Sequence, residues 1–223
     1  IDSPAKNKDD SNGLENTSND LKVKFAKSAS DGNLISISKD GYKISWALEG
    51  ALAATKNALV QNPDMNKQET GDKKFIERKK MASAITYESI LPDTDLEYAI
   101  NGSSVKENII VKVKKESYAY HFPIKTDNLV LTLNQKGEIL ATAKDNLSKS
   151  VFCIPAPVMY DANDTKSDAV KFSLTDNGDG SYLLTVTADA QWINSEEVQL
   201  PVRIDPYIQT IQDRSHIQDT YVD

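Results

Sequence analysis

At 223 residues, with 39% hydrophobic content and a formal net charge of −7, the chain is long enough for one large β domain or two small ones. The acidic balance argues against a nucleic-acid partner, which calls for a basic patch, and no apolar run approaches the ~18 residues that would cross a bilayer as a helix. Cys153 is the single cysteine, which excludes an internal disulfide and a cysteine-based zinc site.

Residues 1–20 are polar and carry only two large aliphatic side chains, Ile1 and Leu14. Such a segment buries too little to offset its ordering entropy and is expected to be a flexible tail or linker. Because the chain begins at Ile1, it is expected to be a processed product or a fragment; it shows no signal peptide, and processing could have removed one. A mostly-β module is then expected over residues 21–208. Leu21, Val23 and Phe25 alternate against lysines, and the LISIS and YKISWAL runs flank Lys39-Asp40-Gly41, a hairpin turn in which Gly41 takes positive φ. The alanine-rich stretch 47–60 reads as strand then loop, with a helix as the alternative. Residues 61–80 are lysine-rich with few apolar anchors and mark a possible sub-boundary.

Beyond this the β signals are dense. ASAITYES leads into LPDTDLEYAI, where Leu96, Tyr98 and Ile100 face one way and Asp93, Asp95 and Glu97 the other. NGSS at 101–104 is a turn before KENIIVKV. Tyr118, Tyr120, Phe122 and Ile124 alternate, LVLTL and EILATA flank NQKG, and VKFSL and SYLLTVTA flank Asp176-Asn177-Gly178-Asp179-Gly180. Leu200, Val202 and Ile204 form the last row, closed by Pro206. Roughly ten to twelve short strands between Gly, Asn and Asp turns predict an all-β antiparallel sandwich with little helix. Whether it is one large sandwich or two small ones stays open. Residues 209–223, beyond the last row, are expected to be a linker.

Chemistry is sparse. Only two histidines exist: His121 lies opposite the aromatic row of its strand and His216 near the C-terminus. Cys153 sits in VFCIPAP, where a free thiol behaves as a small hydrophobe. No GxSxG, HExxH or phosphate-binding glycine loop is present. Asp93, Asp95 and Glu97 share a strand face and could converge on a sugar, as in a glycosidase, or on a cation, but a solvated strand face explains them more simply. No catalytic residue is therefore assigned, and no enzymatic activity is expected. No cofactor is expected either. Calcium is the one ligand with candidate donors, Asp161 and Asn163 in DANDTKSD and Asp176 and Asp179 in DNGDG, although neither run matches an EF-hand loop and backbone turn demands account for both. The tyrosines fall mostly in apolar rows and read as core rather than as a glycan platform.

Glu107 is the exception to the alternation, sharing a row with Val105, Ile109, Val111 and Val113. A carboxylate there must keep water or find a partner. It is expected at the rim of the sandwich as a structural anchor, held by a backbone N–H pair, a tyrosine hydroxyl or one of Arg78, Arg203 and Arg214.

The run ITYESILPDTDLEYAINGSSVKENIIV resembles a recurring pattern of large secreted bacterial proteins, here Tyr87, Leu91, Pro92, Asp95, Leu96, Tyr98, Lys106 and Glu107. QWINSEEVQLPVRIDPYI resembles the stretch that closes the same region, through Trp192, Pro201, Val202, Ile204, Asp205 and Pro206. IQDTYVD at 217–223 is similar to the opening of a DNRLRE-type β domain. The resemblance is to wall-associated and Rhs/YD-repeat surface proteins. It covers residues 83–223, and implies a secreted location on the surface or wall of a bacterium, with a Gram-positive host. It further implies a non-catalytic spacer or presenting module whose partners are neighbouring domains of the same polypeptide. A glycan- or cell-wall-binding module, calcium-dependent or not, is the alternative. Asp95, Lys106, Glu107, Trp192, Asp205 and Pro206 are the signature positions it singles out.

Overall fold

A computed structural model describes residues 8–10, 13–15, 21–29, 32–52, 59–61, 83–101 and 103–211. The strands are β1 (Lys8–Asp10), β2 (Gly13–Glu15), β3 (Lys22–Phe25), β4 (Ile35–Lys39), β5 (Tyr42–Trp46), β6 (Leu59–Gln61), β7 (Ser83–Leu91), β8 (Thr94–Asn101), β9 (Ser104–Val111) and β10 (Tyr118–Asp127). They continue as β11 (Leu129–Leu133), β12 (Ile139–Ala143), β13 (Asn146–Ile154), β14 (Val158–Tyr160), β15 (Lys166–Ser167), β16 (Val170–Asp176) and β17 (Ser181–Ala188). A five-residue helix α1 (Ala190–Asn194) precedes β18 (Val202–Asp205) and β19 (Tyr207–Thr210). The protein is all-β and antiparallel, as its alternation predicts.

Two sheets form the sandwich. The first runs β1-β2-β3-β4-β5-β10-β17-β16. The second runs β11-β12-β13-β19-β9-β18-β14-β15, with β8, β7 and β6 extending from the other edge of β9. Local turn chemistry sets the hairpins: between β4 and β5, Asp40 and Gly41 both take positive φ, 51° and 82°, the mirror-image turn whose twist matches that of the strands. The long-range joints are β5 on β10, with Trp46 opposite Ile124, and β9 on β18 and β19.

Inward rows of both sheets meet in one hydrophobic core that includes Val23, Ile44, Trp46, Tyr98, Ile109, Phe122, Val186 and Ile204. In β10 and β17 every second residue is buried, the period of two that a half-covered strand requires. The buried residues of both sheets therefore form one core cluster.

Several boundaries differ from the sequence reading. Nineteen strands occur among the described residues, more than the alternation shows. Within the stretch read as a tail, β2 pairs with β3, setting Leu14 opposite Phe25. The strand expected through Val113 ends at Val111, and Val113 is 39% exposed. β13 has no signal in its first half, because Asn146–Lys149 are all exposed and two register shifts interrupt its pairing with β12. The helix α1 is too short for a periodic signal; Asp189 caps it by accepting from Gln191 N at 2.7 Å. β19 crosses the expected boundary at 208. The expected sub-boundary at 61–80, His216 and the IQDTYVD stretch lie outside the described residues, apart from Gln61 at the end of β6. Among the described residues no helix is long and apolar enough to cross a membrane.

Candidate functional site

Glu107 lies in the middle of β9 and is 7% exposed, not at the rim where its position after a turn suggested. Its side chain enters the gap between the sheets. Trp46 Nε1, on the first sheet, donates to Glu107 Oε2 at 3.1 Å and lies 3.0 Å from the Tyr98 hydroxyl oxygen. That hydroxyl also hydrogen-bonds the Glu107 carboxyl. Of the partners the sequence offered, the structure selects the tyrosine hydroxyl and adds an indole N–H; none of the arginines takes the role among the described residues. Burial pushes the Glu107 carboxyl up from 4.5 to about 7, the bonds from Tyr98 and Trp46 oppose the rise, and the charge of Asp205 adds to it. Tyr98 is raised well above the usual phenol range, by burial first and by Glu107 second. A carboxyl so placed keeps its proton to a higher pH than a solvated one does.

The aromatic rings around this group come from both sheets. Tyr98 has Phe25 at 5.7 Å, Tyr87 at 6.2 Å and Trp46 at 6.4 Å between ring centroids. The Tyr87 hydroxyl donates to the carbonyl of Ala26 at 2.6 Å, with that of Leu34 at 3.3 Å. Beside Glu107 is a cavity of about 30 Å³ whose lining includes Trp46, Phe122, Leu184, Ile154 and Tyr207. Its walls are almost wholly apolar.

The two stretches that carry the family resemblance converge here. β9 pairs with β19 through Lys106 opposite Tyr207 and with β18 through Ile109 opposite Ile204. Pro206 sits at the handover between those two strands, and its carbonyl accepts from Glu107 N at 2.9 Å. Next to it Lys106 Nζ lies 2.8 Å from Asp205 Oδ2, a carboxylate whose side chain is 10% exposed. Lys106, Glu107, Asp205 and Pro206 thus form one joint. Asp95 and Trp192 stand elsewhere. Asp95 Oδ1 accepts from Ser89 N and from Lys112 Nζ, both at 2.6 Å, bracing the β7–β8 turn against the end of β9. Trp192, half-buried on α1, packs on the core.

The remaining candidates are held by local structure. Asp93 lies in the turn before β8 with φ of 58° rather than on the strand face expected for it, and its carbonyl accepts from Lys112 N. Glu97 accepts from the Asn108 amide across the strand pair at 2.8 Å. Asp161 is fully buried: Oδ1 accepts from Asn163 N and Thr165 N at 2.9 and 2.8 Å, and Oδ2 from Gln199 N at 3.2 Å. Burial would raise its carboxyl, but the N–H donors of Thr165, Gln199 and Asn163 outweigh it and hold it below the usual range. Asp179 accepts from Ser181 N and Oγ, and Asp176 from Gly178 N. The four calcium candidates are split between the β14–β15 turn and the β16–β17 turn. Among the described residues no group of three or more His, Cys, Asp or Glu side chains is arranged to hold a metal ion. Cys153 is buried, and that burial pushes its thiol up, with Glu138 adding to the effect. His121 Nδ1 is 3.0 Å from Thr185 Oγ1.

Trp46 and Tyr98 escaped the sequence reading as site residues. Their rows read as plain core, yet a buried indole N–H and phenol O–H each require a partner. That requirement was the available signal.

No protein-family model matches the chain. It is 26% identical over 193 residues to the tRNA nuclease WapA of Bacillus subtilis (strain 168), and equally to the tRNA(Glu)-specific nuclease WapA of Bacillus subtilis subsp. natto (strain BEST195). Each match covers 83% of this chain and 8% of the relative. It is also 29% identical over 155 residues to a wall-associated protein of Geobacillus stearothermophilus, covering 68% of this chain and 54% of that protein. The chain is therefore related, at low identity, to wall-associated proteins, and spans about 8% of the length of its nuclease-named relatives. These names correct the expectation that no enzyme is involved, since the relatives are named as tRNA nucleases.

Proposed function

We propose that the chain is a cell-surface module of a wall-associated bacterial protein, a β-sandwich that spaces and presents the rest of a longer polypeptide. The observation that carries this reading is the asymmetry of the matches, which take in 83% of this chain but only 8% of the nuclease relatives. A unit of this size with its own core is what a large surface protein repeats or interposes between working parts. Neighbouring domains of the same polypeptide are its partners in this reading. The wall or surface location is inferred from the name of the Geobacillus stearothermophilus relative. An Rhs/YD-repeat parent, with a DNRLRE-type domain opening at 217–223, is the finer form of the same proposal. The tRNA nuclease activity named for the relatives is proposed for the whole polypeptide in which this module sits.

The test is fractionation of the native host with an antibody raised against residues 21–211. Recovery in the wall fraction, released by muramidase digestion, is the expected result. Recovery only in the cytosolic fraction would end the surface assignment. In parallel, the intact natural polypeptide is expected to cleave tRNA; an intact polypeptide inert on a full set of host tRNAs would remove the nuclease part while leaving the location untouched.

A further inference from the structure

We propose that Glu107 is a proton-controlled latch, closing the seam between the two sheets at the β18–β19 handover when protonated and loosening that seam when ionised. The geometry assembles the parts at one place. The carboxyl stands on the second sheet, and one of its hydrogen-bond donors, Trp46 Nε1 at 3.1 Å, stands on the first. The same residue's backbone N–H holds Pro206, where the paired edge of β9 passes from β18 to β19. A change at this one side chain is therefore felt both across the seam and along the handover.

The groups that face Glu107 define how it titrates. From β8 comes the Tyr98 hydroxyl, with Tyr87 of β7 behind it. From β18 comes the Asp205 charge, itself held by Lys106, which lies on the same strand as Glu107. From β19, Tyr207 lines the cavity, and β10, β13 and β17 present only Phe122, Ile124, Ile154, Leu184 and Val186. Lys106, the cation beside the group, is engaged by Asp205; the Trp46 and Tyr98 donors oppose the rise, and burial together with the Asp205 charge outweighs them. Its titration falls at about 7, inside the range a bacterial exterior commonly spans.

The cavity explains why ionisation loosens the seam. A buried carboxylate draws water, because leaving it unsolvated is costly. The space beside it, about 30 Å³ and partly open, has room for water but almost wholly apolar walls, and a stable buried water needs about two to four polar partners. Water drawn to the ionised group therefore sits against apolar side chains of both sheets and weakens their packing at the seam, where Pro206 and Tyr207 also line the space.

The test uses 13C,15N-labelled Trp192→Phe protein, in which Trp46 is the only tryptophan. Its indole N–H resonance is followed from about pH 5 to about pH 9, together with side-chain glutamate carboxyl carbons. Expected are a common midpoint between about pH 6 and about pH 8 for the indole and one carboxyl, and loss of the indole shift in Glu107→Gln. Across the same interval the Glu107 amide, corrected for intrinsic exchange, is expected to lose about tenfold more protection than the β16–β17 amides, which report the global change in stability alone. A pH-independent indole resonance, or constant protection of the Glu107 amide, would overturn the latch. If Glu107→Gln does not fold, Asp205→Asn replaces it: removal of the neighbouring negative charge is expected to move the midpoint to lower pH, and an unmoved midpoint overturns the assignment.

Discussion

Glu107 makes a quantitative demand on global stability. In the unfolded chain its carboxyl titrates near 4.5, and in the folded protein at about 7. Between those values the folded state holds a proton that the unfolded state has released, so raising the pH favours unfolding. The sign is that of a raised acid: the contribution is complete below about pH 4.5, declines through the interval and is gone above about 7. At about 1.4 kcal/mol per tenfold change in proton affinity, this amounts to about 3 kcal/mol. Glu107→Gln keeps the shape and an acceptor for Trp46 but has no proton to lose. Urea unfolding of both proteins at pH 5, 6, 7 and 8, followed by circular dichroism, isolates the term, because groups common to both cancel in the difference. The wild-type protein is expected to lose about 2.5 kcal/mol relative to the variant across the series, since part of the term already lies below pH 5. In Tm this is about 5–10 °C for a chain of this size. Two stability curves that stay parallel from pH 5 to 8 would refute the reasoning.

Tyr87→Phe removes the hydroxyl that reaches the Ala26 carbonyl at 2.6 Å in a fully buried site; a loss of about 1–3 kcal/mol in urea unfolding is expected. Asp161→Ala leaves the N–H groups of Asn163, Thr165 and Gln199 without their carboxylate and is expected to cost about 2–4 kcal/mol. Because the Asp161 carboxyl is held low, its contribution is present above the usual carboxylate range and lost as pH falls, so the acid limb of the stability curve should be shallower in Asp161→Asn. With that carboxylate already occupied by backbone donors, millimolar calcium is expected to move the Tm by less than about 1 °C; a larger rise would mark a bound ion. Gly41→Ala meets no atom within 4 Å but must hold φ of +82°, so a destabilisation of about 1–2 kcal/mol is expected from the backbone alone.

How much of this was legible beforehand varies from residue to residue. The alternation of Tyr118, Tyr120, Phe122 and Ile124 announces its strand because a half-covered sheet imposes a period of two on the residues themselves. The Asp40-Gly41 turn is equally local: positive φ is a demand that a residue meets or fails alone. Even Glu107 declared itself by interrupting an apolar row. Its partner did not. Trp46 is 61 positions away, and nothing in either stretch says that β5 and β9 will face each other across the core. The same holds for Asp161, whose carboxylate accepts from the backbone of Gln199, 38 positions on. It holds too for Lys106 and Asp205, which the family pattern marks separately and the fold joins at 2.8 Å. Backbone preference and burial period are properties of neighbours in the chain, so residue order by itself determines strands, turns and inward rows. Which buried polar groups satisfy one another depends on how two sheets stack, a choice settled by the packing of the whole core, and the proton of Glu107 belongs to that second kind of fact.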